Sequence, residues 1–186
     1  VRSGDDHQKS PSRKEDTLSQ PVIRLDQLSK RFGRVTALRG VSLEVPAGQV
    51  YGFLGPNGAG KTTAIRLMLT LLRPTSGEVH LFGQPVRSHH QLLRRVGAIA
   101  EGPAFYPFLS GRKNLTVLAR TADQYDPARI NFLLGQVGLA GRADQRVKGY
   151  SLGMRQRLGL AAALLPNPEV LFLDEPTNGL DPAGMR

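Results

Sequence analysis

The sequence contains no cysteine in its 186 residues, which excludes disulfide bonds and thiolate metal sites. It also lacks any run of about 18 consecutive apolar residues, the length that a helix needs to cross a bilayer. These residues are therefore predicted to contain no membrane span. The composition, with 40% hydrophobic and 22% charged residues, is that of a globular protein, and the length suits one domain with a substantial core.

Acidic residues are in the minority, since 15 Asp and Glu face 25 Lys and Arg and give a formal charge of +10. Nucleic-acid binding is one function that such a charge favours. However, the basic residues are spread along the chain singly or in pairs such as Arg94-Arg95, with no RGG tract and no basic helical arm. We therefore expect a generally basic surface and no nucleic-acid partner.

The pattern of apolar residues divides the chain into a leader and one interrupted α/β domain. Residues 1–20 are polar and are predicted to form a disordered leader. Residues 22–28 and 41–45 alternate as antiparallel strands do, and the apolar residues 49–54 are predicted to form a further strand. Three more strands are predicted at residues 78–82, 96–100 and 170–173, the last of them of the continuous apolar kind that is buried in parallel sheets.

Helical spacing of apolar residues follows Lys61 and stops at Pro74. Residues 102–165 are predicted to be mostly helical. One helix there should bury Leu115, Leu118 and Ala119, and a third is predicted over residues 154–165. The second helix should bury a four-residue face: Ile130, Leu133, Leu134 and Val137. The sequence thus predicts a phosphate-binding α/β core that a helical insertion interrupts.

A glycine-rich loop lies between the predicted strand at residues 49–54 and the following helix. It reads Gly55-Pro56-Asn57-Gly58-Ala59-Gly60-Lys61-Thr62, with Thr63 next, and fits the pattern G-x-x-x-x-G-K-S/T. Glycines let successive N–H groups point inward as an anion nest, and the positive end of the helix adds to it. Lys61 would reach the β- and γ-phosphates of a nucleotide, and the Thr62 hydroxyl is suited to Mg²⁺.

Two acidic residues follow the predicted strand at residues 170–173. The carboxyl end of such a strand is where open α/β sheets bind ligands. Asp174 could hold Mg²⁺ through water, and Glu175 could act as general base toward an attacking water molecule. Many strands end in acidic turns, so this pair gains its meaning from the glycine-rich loop.

These motifs resemble the nucleotide-binding domain of ABC transporters over residues 22–186. The stretch that begins at Glu175 is similar to the end of the family's Walker B motif followed by its D-loop, which includes Asp181. Phe32 stands where the family places the aromatic residue that stacks on adenine, although an ordinary core phenylalanine is the alternative. The resemblance implies ATP and Mg²⁺ as cofactors and a P-loop NTPase core. That core would combine a mixed sheet with an antiparallel β-subdomain (core residues 21–101 and 166–186) and would carry a helical subdomain at about residues 102–165.

Two motifs depart from the family's common pattern. The signature Leu-Ser-Gly-Gly-Gln is represented by residues 150–154, in which Ser151 and Gly153 remain and Met154 replaces the amide. The resemblance implies that Ser151 and Gly153 contact the γ-phosphate of a partner chain's ATP; a plain helix N-cap at Ser151 is the alternative. Glu101 stands in place of the glutamine that touches Mg²⁺ and the attacking water. An ionised glutamate accepts but cannot donate, so Glu101 should favour the metal and slow hydrolysis; a surface acid is the alternative.

Both departures resemble the bacitracin- and daunorubicin-type exporter ATPases. That resemblance implies a homodimer of ATPase subunits bound head to tail, a separate integral membrane permease, and a place at the cytoplasmic face of the membrane. It also implies export of a drug, antibiotic or lipid-like compound. Phe105, Tyr106, Pro107 and Phe108 follow Glu101 and are predicted to line a groove for a permease helix, with packing against the helical insertion as the alternative.

The family's switch histidine normally follows the D-loop and is not reached by Arg186. We therefore expect a chain truncated at its C-terminus, with weak ATPase activity for these residues alone. Two other functions stay open. One is an ABC-superfamily ATPase that acts on ribosomes or nucleic acid, which the charge favours. The other is a regulatory nucleotide-binding module with little turnover, which Glu101 and the divergent signature favour.

Overall fold

The computed structural model describes residues 20–56, 58–100 and 104–174. Within these ranges ten helices and strands follow each other: β1 (Ile23–Phe32), β2 (Val35–Val45), α1 (Lys61–Met68), β3 (Ser76–Leu81), β4 (Gln84–Pro85), β5 (Val96–Ile99), α2 (Gly111–Thr121), α3 (Pro127–Gln136), α4 (Leu152–Leu164) and β6 (Val170–Leu173). Short 3₁₀ helices lie at His90–Arg95, Ala140–Arg142 and Val147–Gly149. The predicted leader lies outside the described residues apart from its last residue.

The first four strands form an antiparallel sheet in the order β2-β1-β3-β4. Ile23 pairs with Val45 on one side and with Leu81 on the other, so β1 is the central partner of two long neighbours. The antiparallel strands predicted from alternation are confirmed, and both extend further than the pattern indicated. The β1–β3 pairing is interrupted at Gln27, where φ is 45°. A Cβ atom on Gly77 would lie 2.3 Å from the Gln27 carbonyl oxygen, so only glycine fits opposite this bulge.

The last two strands pair in parallel, with Val96 opposite Val170 and Ile99 opposite Leu173. The predicted parallel strand at residues 170–173 is confirmed. Its burial alternates, however: Val170 and Phe172 are buried, whereas Leu171 and Leu173 are each 37% exposed. Helix α4 packs directly on β5, since a Cβ atom on Gly97 would lie 2.2 Å from the Ala163 carbonyl oxygen.

Two hydrophobic cores hold the described residues. The first joins the antiparallel sheet, α1 and the parallel pair, with Leu28 and Met68 fully buried. The second joins the three later helices and is centred on Leu115 and Leu158. The buried face predicted for α3 is confirmed at all four residues. Leu118 was predicted to be buried on α2, but it is 40% exposed because that side of the helix faces a cavity of 310 Å³.

Two sequence-based expectations for the first core are wrong. Residues 49–54 were predicted to form a strand, but they make none, and Val50 and Leu54 are almost fully exposed. Among the described residues this segment pairs with no strand, and it lines a pocket of 360 Å³ together with β6. Helix α1 ends at Met68, well before Pro74, because Thr70 adopts a left-handed φ of 58°.

Candidate functional site

The glycine-rich loop depends on glycine for its backbone conformation. Gly58 and Gly60 have φ values of 83° and 91°, in the left-handed region that other residues avoid. At Gly60 a second constraint is added, since a Cβ atom would lie 2.5 Å from the Ala37 carbonyl oxygen and 2.9 Å from Leu38 Cδ2. Because both contacts come from β2, the loop is held against the antiparallel sheet, and Gly60 is the residue that permits this approach.

Lys61 opens α1 and folds its side chain back over the loop. Its Nζ donates to the carbonyl oxygens of Gly55 at 2.7 Å and Pro56 at 3.0 Å. The N-cap residue, Gly60, has no side chain that could accept from the first amides of α1, and the first turn of the helix contains no acidic residue. Thr62 and Thr63, half-buried, belong to the same turn. A cation and uncapped amides therefore meet at one helix terminus, an arrangement suited to anions.

Asp174 follows β6 directly, and its backbone N–H donates to the Ile99 carbonyl oxygen at 2.8 Å. This bond continues the parallel pairing by one residue and places the Asp174 backbone at the carboxyl end of the sheet. The predicted general base Glu175, the D-loop residue Asp181, the loop residue Asn57 and Glu101 all lie outside the described residues. Their predicted roles stay predictions.

The donor set predicted for Mg²⁺ has the right chemistry, since the Thr62 hydroxyl and the Asp174 carboxylate are hard oxygen ligands. Within the described ranges, no group of three or more His, Asp or Glu residues is arranged to hold a metal ion. Mg²⁺ in phosphoryl-transfer sites is held by one or two carboxylates together with water and phosphate oxygens.

Phe32 is the last residue of β1, at the turn of the β1–β2 hairpin opposite Val35, and the residue is 46% exposed. The alternative of an ordinary core phenylalanine is therefore wrong. Lys30 Nζ lies 4.9 Å from the ring centroid, a cation–π distance. The same hairpin supplies Ala37 and Leu38 to the glycine-rich loop, so this exposed ring stands on the element that contacts the loop.

Ser151 caps α4, because its Oγ accepts the Met154 N–H at 3.2 Å. The N-cap alternative is thus confirmed as a structural role. The contact of Ser151 and Gly153 with a partner's nucleotide stays a separate prediction. Ser151 is exposed and Gly153 is half-buried. The first turn of α4 contains no acidic residue, so its positive end is not neutralised there.

Different residues of the aromatic loop at residues 105–108 match its two predicted roles. Phe105 is half-buried against the helical core, as the packing alternative predicted. Tyr106 and Phe108 are 53% and 63% exposed, with ring centroids 5.8 Å apart, as a docking surface requires. We call these two side chains the aromatic pair.

Sequence reasoning missed Asn114, which fixes the aromatic pair. It lies inside α2, is only 2% exposed, and its Oδ1 accepts the Tyr106 N–H at 2.8 Å. Its Nδ2 donates to the carbonyl oxygens of Tyr106 at 3.1 Å and Ser110 at 3.0 Å. The available signal was an asparagine directly beside Leu115 on the buried face, where a polar amide needs partners.

The described part of the chain has no helix long and apolar enough to cross a membrane.

Residues 38–178 match the ABC transporter family. The bacitracin transport ATP-binding protein of Enterococcus faecalis is 46% identical over 90% of this chain and 55% of its own length. A daunorubicin resistance ATP-binding protein of Streptomyces coeruleorubidus is 44% identical over 90% of this chain and 54% of its own length.

A solved ATP-binding subunit of an ABC transporter superimposes with a TM-score of 0.78 at 27% identity, covering 88% of this chain and 70% of that one. The α/β fold with P-loop core and helical part is thereby confirmed, as is the resemblance to bacitracin- and daunorubicin-type proteins. The chain spans about half the length of the two curated relatives. Because the family match extends over most of its residues, the chain belongs to the ABC transporter family.

Proposed function

We propose that the chain is the ATP-binding and ATP-hydrolysing part of an exporter for a drug, an antibiotic or a lipid-like compound. The observation that carries the proposal is the glycine-rich loop, which we call the phosphate loop from here on. The Lys61 ammonium and the uncapped first turn of α1 meet at this loop. The names of relatives similar over most of the chain, which refer to bacitracin transport and daunorubicin resistance, support the export direction.

Lys61 is the residue that we expect to respond first to nucleotide. Its ammonium donates to the Gly55 and Pro56 carbonyl oxygens, and phosphate oxygens would be stronger acceptors for it because they are charged. Loop amides around Gly58 and Ala59 would complete the phosphate site, and Phe32 would stack on the base. Thr62, Asp174 and Glu101 would hold Mg²⁺, which would neutralise phosphate charge, while Glu175 would accept a proton from the attacking water.

The signature at Ser151 and Gly153 would serve a second copy of the chain. Ser151 is exposed at the start of α4, where its hydroxyl and the helix end could face an anion. A head-to-tail dimer would bring this turn to the partner's phosphates, with Asp181 beside the shared site. ATP would then favour the closed dimer and hydrolysis would reopen it.

The aromatic pair would contact an integral membrane permease, which would place the chain at the cytoplasmic face of the membrane. Tyr106 and Phe108 are exposed on a backbone that Asn114 holds in place. Rigid exposed aromatic side chains are typical anchors of protein interfaces. The permease would select the exported compound.

The proposal is tested with the protein expressed at the full length that its gene encodes. Lys61→Ala should lower ATP affinity at least about tenfold and abolish hydrolysis, because the loop loses its only mobile cation toward the phosphates. Lys113→Ala, which removes an exposed lysine on α2, is the matched control and should behave like the wild type. Equal ATP binding by all three proteins would contradict the proposal.

Transport is tested in a sensitive bacterial strain that expresses the chain with its permease. Resistance to bacitracin or an anthracycline should depend on Lys61. The formal charge of +10 favours the alternative of an ATPase that acts on ribosomes or nucleic acid. Co-purification with RNA instead of membranes would support it. Glu101→Gln tests the regulatory alternative: increased hydrolysis would favour a regulatory module, and loss of hydrolysis would count against it.

A further inference from the structure

The segment before α4 is fastened by one buried phenol. Tyr150 is 3% exposed, and its hydroxyl donates to the Arg142 carbonyl oxygen at 2.7 Å. This bond closes the loop that runs from residue 142 to residue 150. Burial and the nearby Asp144 carboxylate raise the pKa of Tyr150, so the hydroxyl keeps its proton and remains a donor.

The same hydroxyl lies against the first residue of α2. A Cβ atom on Gly111 would be 2.5 Å from it, so Gly111 is what allows the ring to reach this position. The N–H of Arg112 donates to the Ala143 carbonyl oxygen at 2.9 Å, which satisfies an amide of the first turn of α2 with an acceptor of the closed loop. The start of α2 and the loop at residues 142–150 are therefore one packed unit.

The start of α4 belongs to this unit as well. Ser151 follows Tyr150 and caps the helix, and Arg155 Nη1 donates to the Tyr150 carbonyl oxygen at 3.0 Å. Both the ring and the carbonyl of Tyr150 are thus held, and the exposed Ser151 hydroxyl has little freedom to move relative to them.

The aromatic pair is tied to the first turn of α2 and to the same loop. Asn114 holds the Tyr106 backbone, and the N–H of Lys148 donates to the Pro107 carbonyl oxygen at 2.9 Å. A continuous set of hydrogen bonds and packed atoms therefore links the aromatic pair, the start of α2 and Ser151.

We propose that Tyr150 is a positioning residue, whose hydroxyl holds Ser151 in a fixed place relative to the aromatic pair. A displacement of the aromatic pair by a partner would then move Ser151 by the same rigid step. The inference rests on the proposed function, because it requires Ser151 to contact the ATP that a second copy of the chain binds. The inference adds Tyr150 as the residue that couples the aromatic pair to the contact between Ser151 and ATP.

The test uses the full-length protein and Tyr150→Phe, which keeps the ring and removes the hydroxyl. The kcat of ATP hydrolysis should fall about tenfold, less than the roughly 10²–10³-fold loss that follows removal of a transition-state donor, because Ser151 would be displaced and not removed. The KM for ATP should stay within about twofold of the wild-type value, because the variant's own phosphate loop is intact. Tyr125→Phe, on a tyrosine that is 46% exposed, is the matched control and should change neither constant.

A second variant separates positioning from stability. Gly111→Ala alone should lower the melting temperature by several degrees, because its Cβ would collide with the hydroxyl. In Tyr150→Phe the nearest ring carbon is 3.3 Å from that Cβ, so Gly111→Ala should cost much less there. The double variant should be more stable than Gly111→Ala alone, whereas its kcat should stay as low as that of Tyr150→Phe.

Three outcomes decide the inference. Wild-type kcat in Tyr150→Phe would overturn it, and so would a kcat that rises and falls with the melting temperature across the two single variants and the double variant, since the hydroxyl would then act only through stability. Equal losses in kcat and in ATP affinity would also overturn it. If the wild-type protein itself neither binds nor hydrolyses ATP, it is the proposed function that has failed.

Discussion

Arg95 and Glu169 form a two-pronged ion pair, with Nε 2.5 Å from Oε1 and Nη2 2.6 Å from Oε2. Their backbones are joined too, because the Glu169 N–H donates to the Arg95 carbonyl oxygen at 2.9 Å. The two residues immediately precede the paired strands β5 and β6. The guanidinium also lies 3.7 Å from the centroid of Phe82, at the end of the antiparallel sheet. This cluster therefore fixes the register of the parallel pair that ends at Asp174.

The ion pair should make stability depend on pH at the acid end. Arg95 lowers the pKa of the Glu169 carboxyl below the ordinary value of 4.5, mainly through the hydrogen bond. A carboxyl whose pKa is lower in the folded state contributes stability above about pH 4.5 and loses it as pH falls through the folded value. Glu169→Gln should therefore reduce the loss of melting temperature on acidification.

Thermal unfolding between pH 3 and pH 7, roughly the range of carboxyl titration, measures this effect. Glu44→Gln, at an exposed glutamate on β2, is the control and should follow the wild-type curve. If the Glu169 and Glu44 variants gave the same curve, the ion pair would contribute nothing to acid sensitivity.

Two glycines of the phosphate loop allow the cost of backbone strain to be separated from the cost of a steric clash with β2. Gly58→Ala introduces a side chain at a left-handed φ of 83° with open space around it, which should cost about 1 kcal/mol. Gly60→Ala meets a similar φ and also the Ala37 carbonyl oxygen at 2.5 Å, so its cost should be at least about twice as large. Urea unfolding of both variants gives the two values. Equal costs would mean that β2 yields to the added Cβ.

The sequence predicted the elements whose signals are local. The left-handed glycines before α1, the buried face of α3 and the parallel strand β6 each follow from short patterns, and the described residues confirm all three as structural features. The strand predicted at residues 49–54 is not formed, since a strand needs a hydrogen-bonded neighbour and this segment pairs with none among the described residues. Composition of the segment alone could not reveal that.

The candidate site was predictable to a similar degree. Phosphate-loop residues could be named because their spacing is specific. Asn114 and Tyr150 could not, since their value lies in contacts with residues of other segments, the Tyr106 backbone and the Arg142 carbonyl. Such contacts leave no periodic trace in the sequence. The only local sign was a polar side chain at a buried helical position.

Asn114→Ala should destabilise the protein strongly. It empties a fully buried position and removes an amide that accepts from the Tyr106 N–H, which then loses this acceptor. The carbonyl oxygens of Tyr106 and Ser110 lose one donor each but keep the backbone N–H groups of Leu109 and of residue 114. We expect a loss of about 2–4 kcal/mol in the free energy of unfolding. Asn131→Ala, on the exposed face of α3, is the control and should cost less than about 1 kcal/mol. Urea unfolding measures both.

The aromatic pair gives the prediction that bears most directly on a membrane partner. Changing both Tyr106 and Phe108 to Ala should leave the melting temperature almost unchanged, because the two rings are more than half exposed. Phe105 is left intact, since it packs on the helical core and its removal would confuse docking with folding. Binding to the permease in detergent should weaken at least about thirtyfold. Removal of an aromatic anchor typically costs about 2 kcal/mol or more of binding free energy, which corresponds to that change in affinity.

The control for this double variant is Phe132→Ala, because Phe132 is 55% exposed on α3 and equally apolar. If apolar exposure alone made the chain adhere to membranes, all three aromatic side chains would contribute similarly and the control would weaken binding too. If the aromatic pair is a docking surface, only its removal lowers permease binding, whereas ATP affinity at the phosphate loop stays at the wild-type value. Intact permease binding by the Tyr106 and Phe108 double variant would show that the partner contacts another surface.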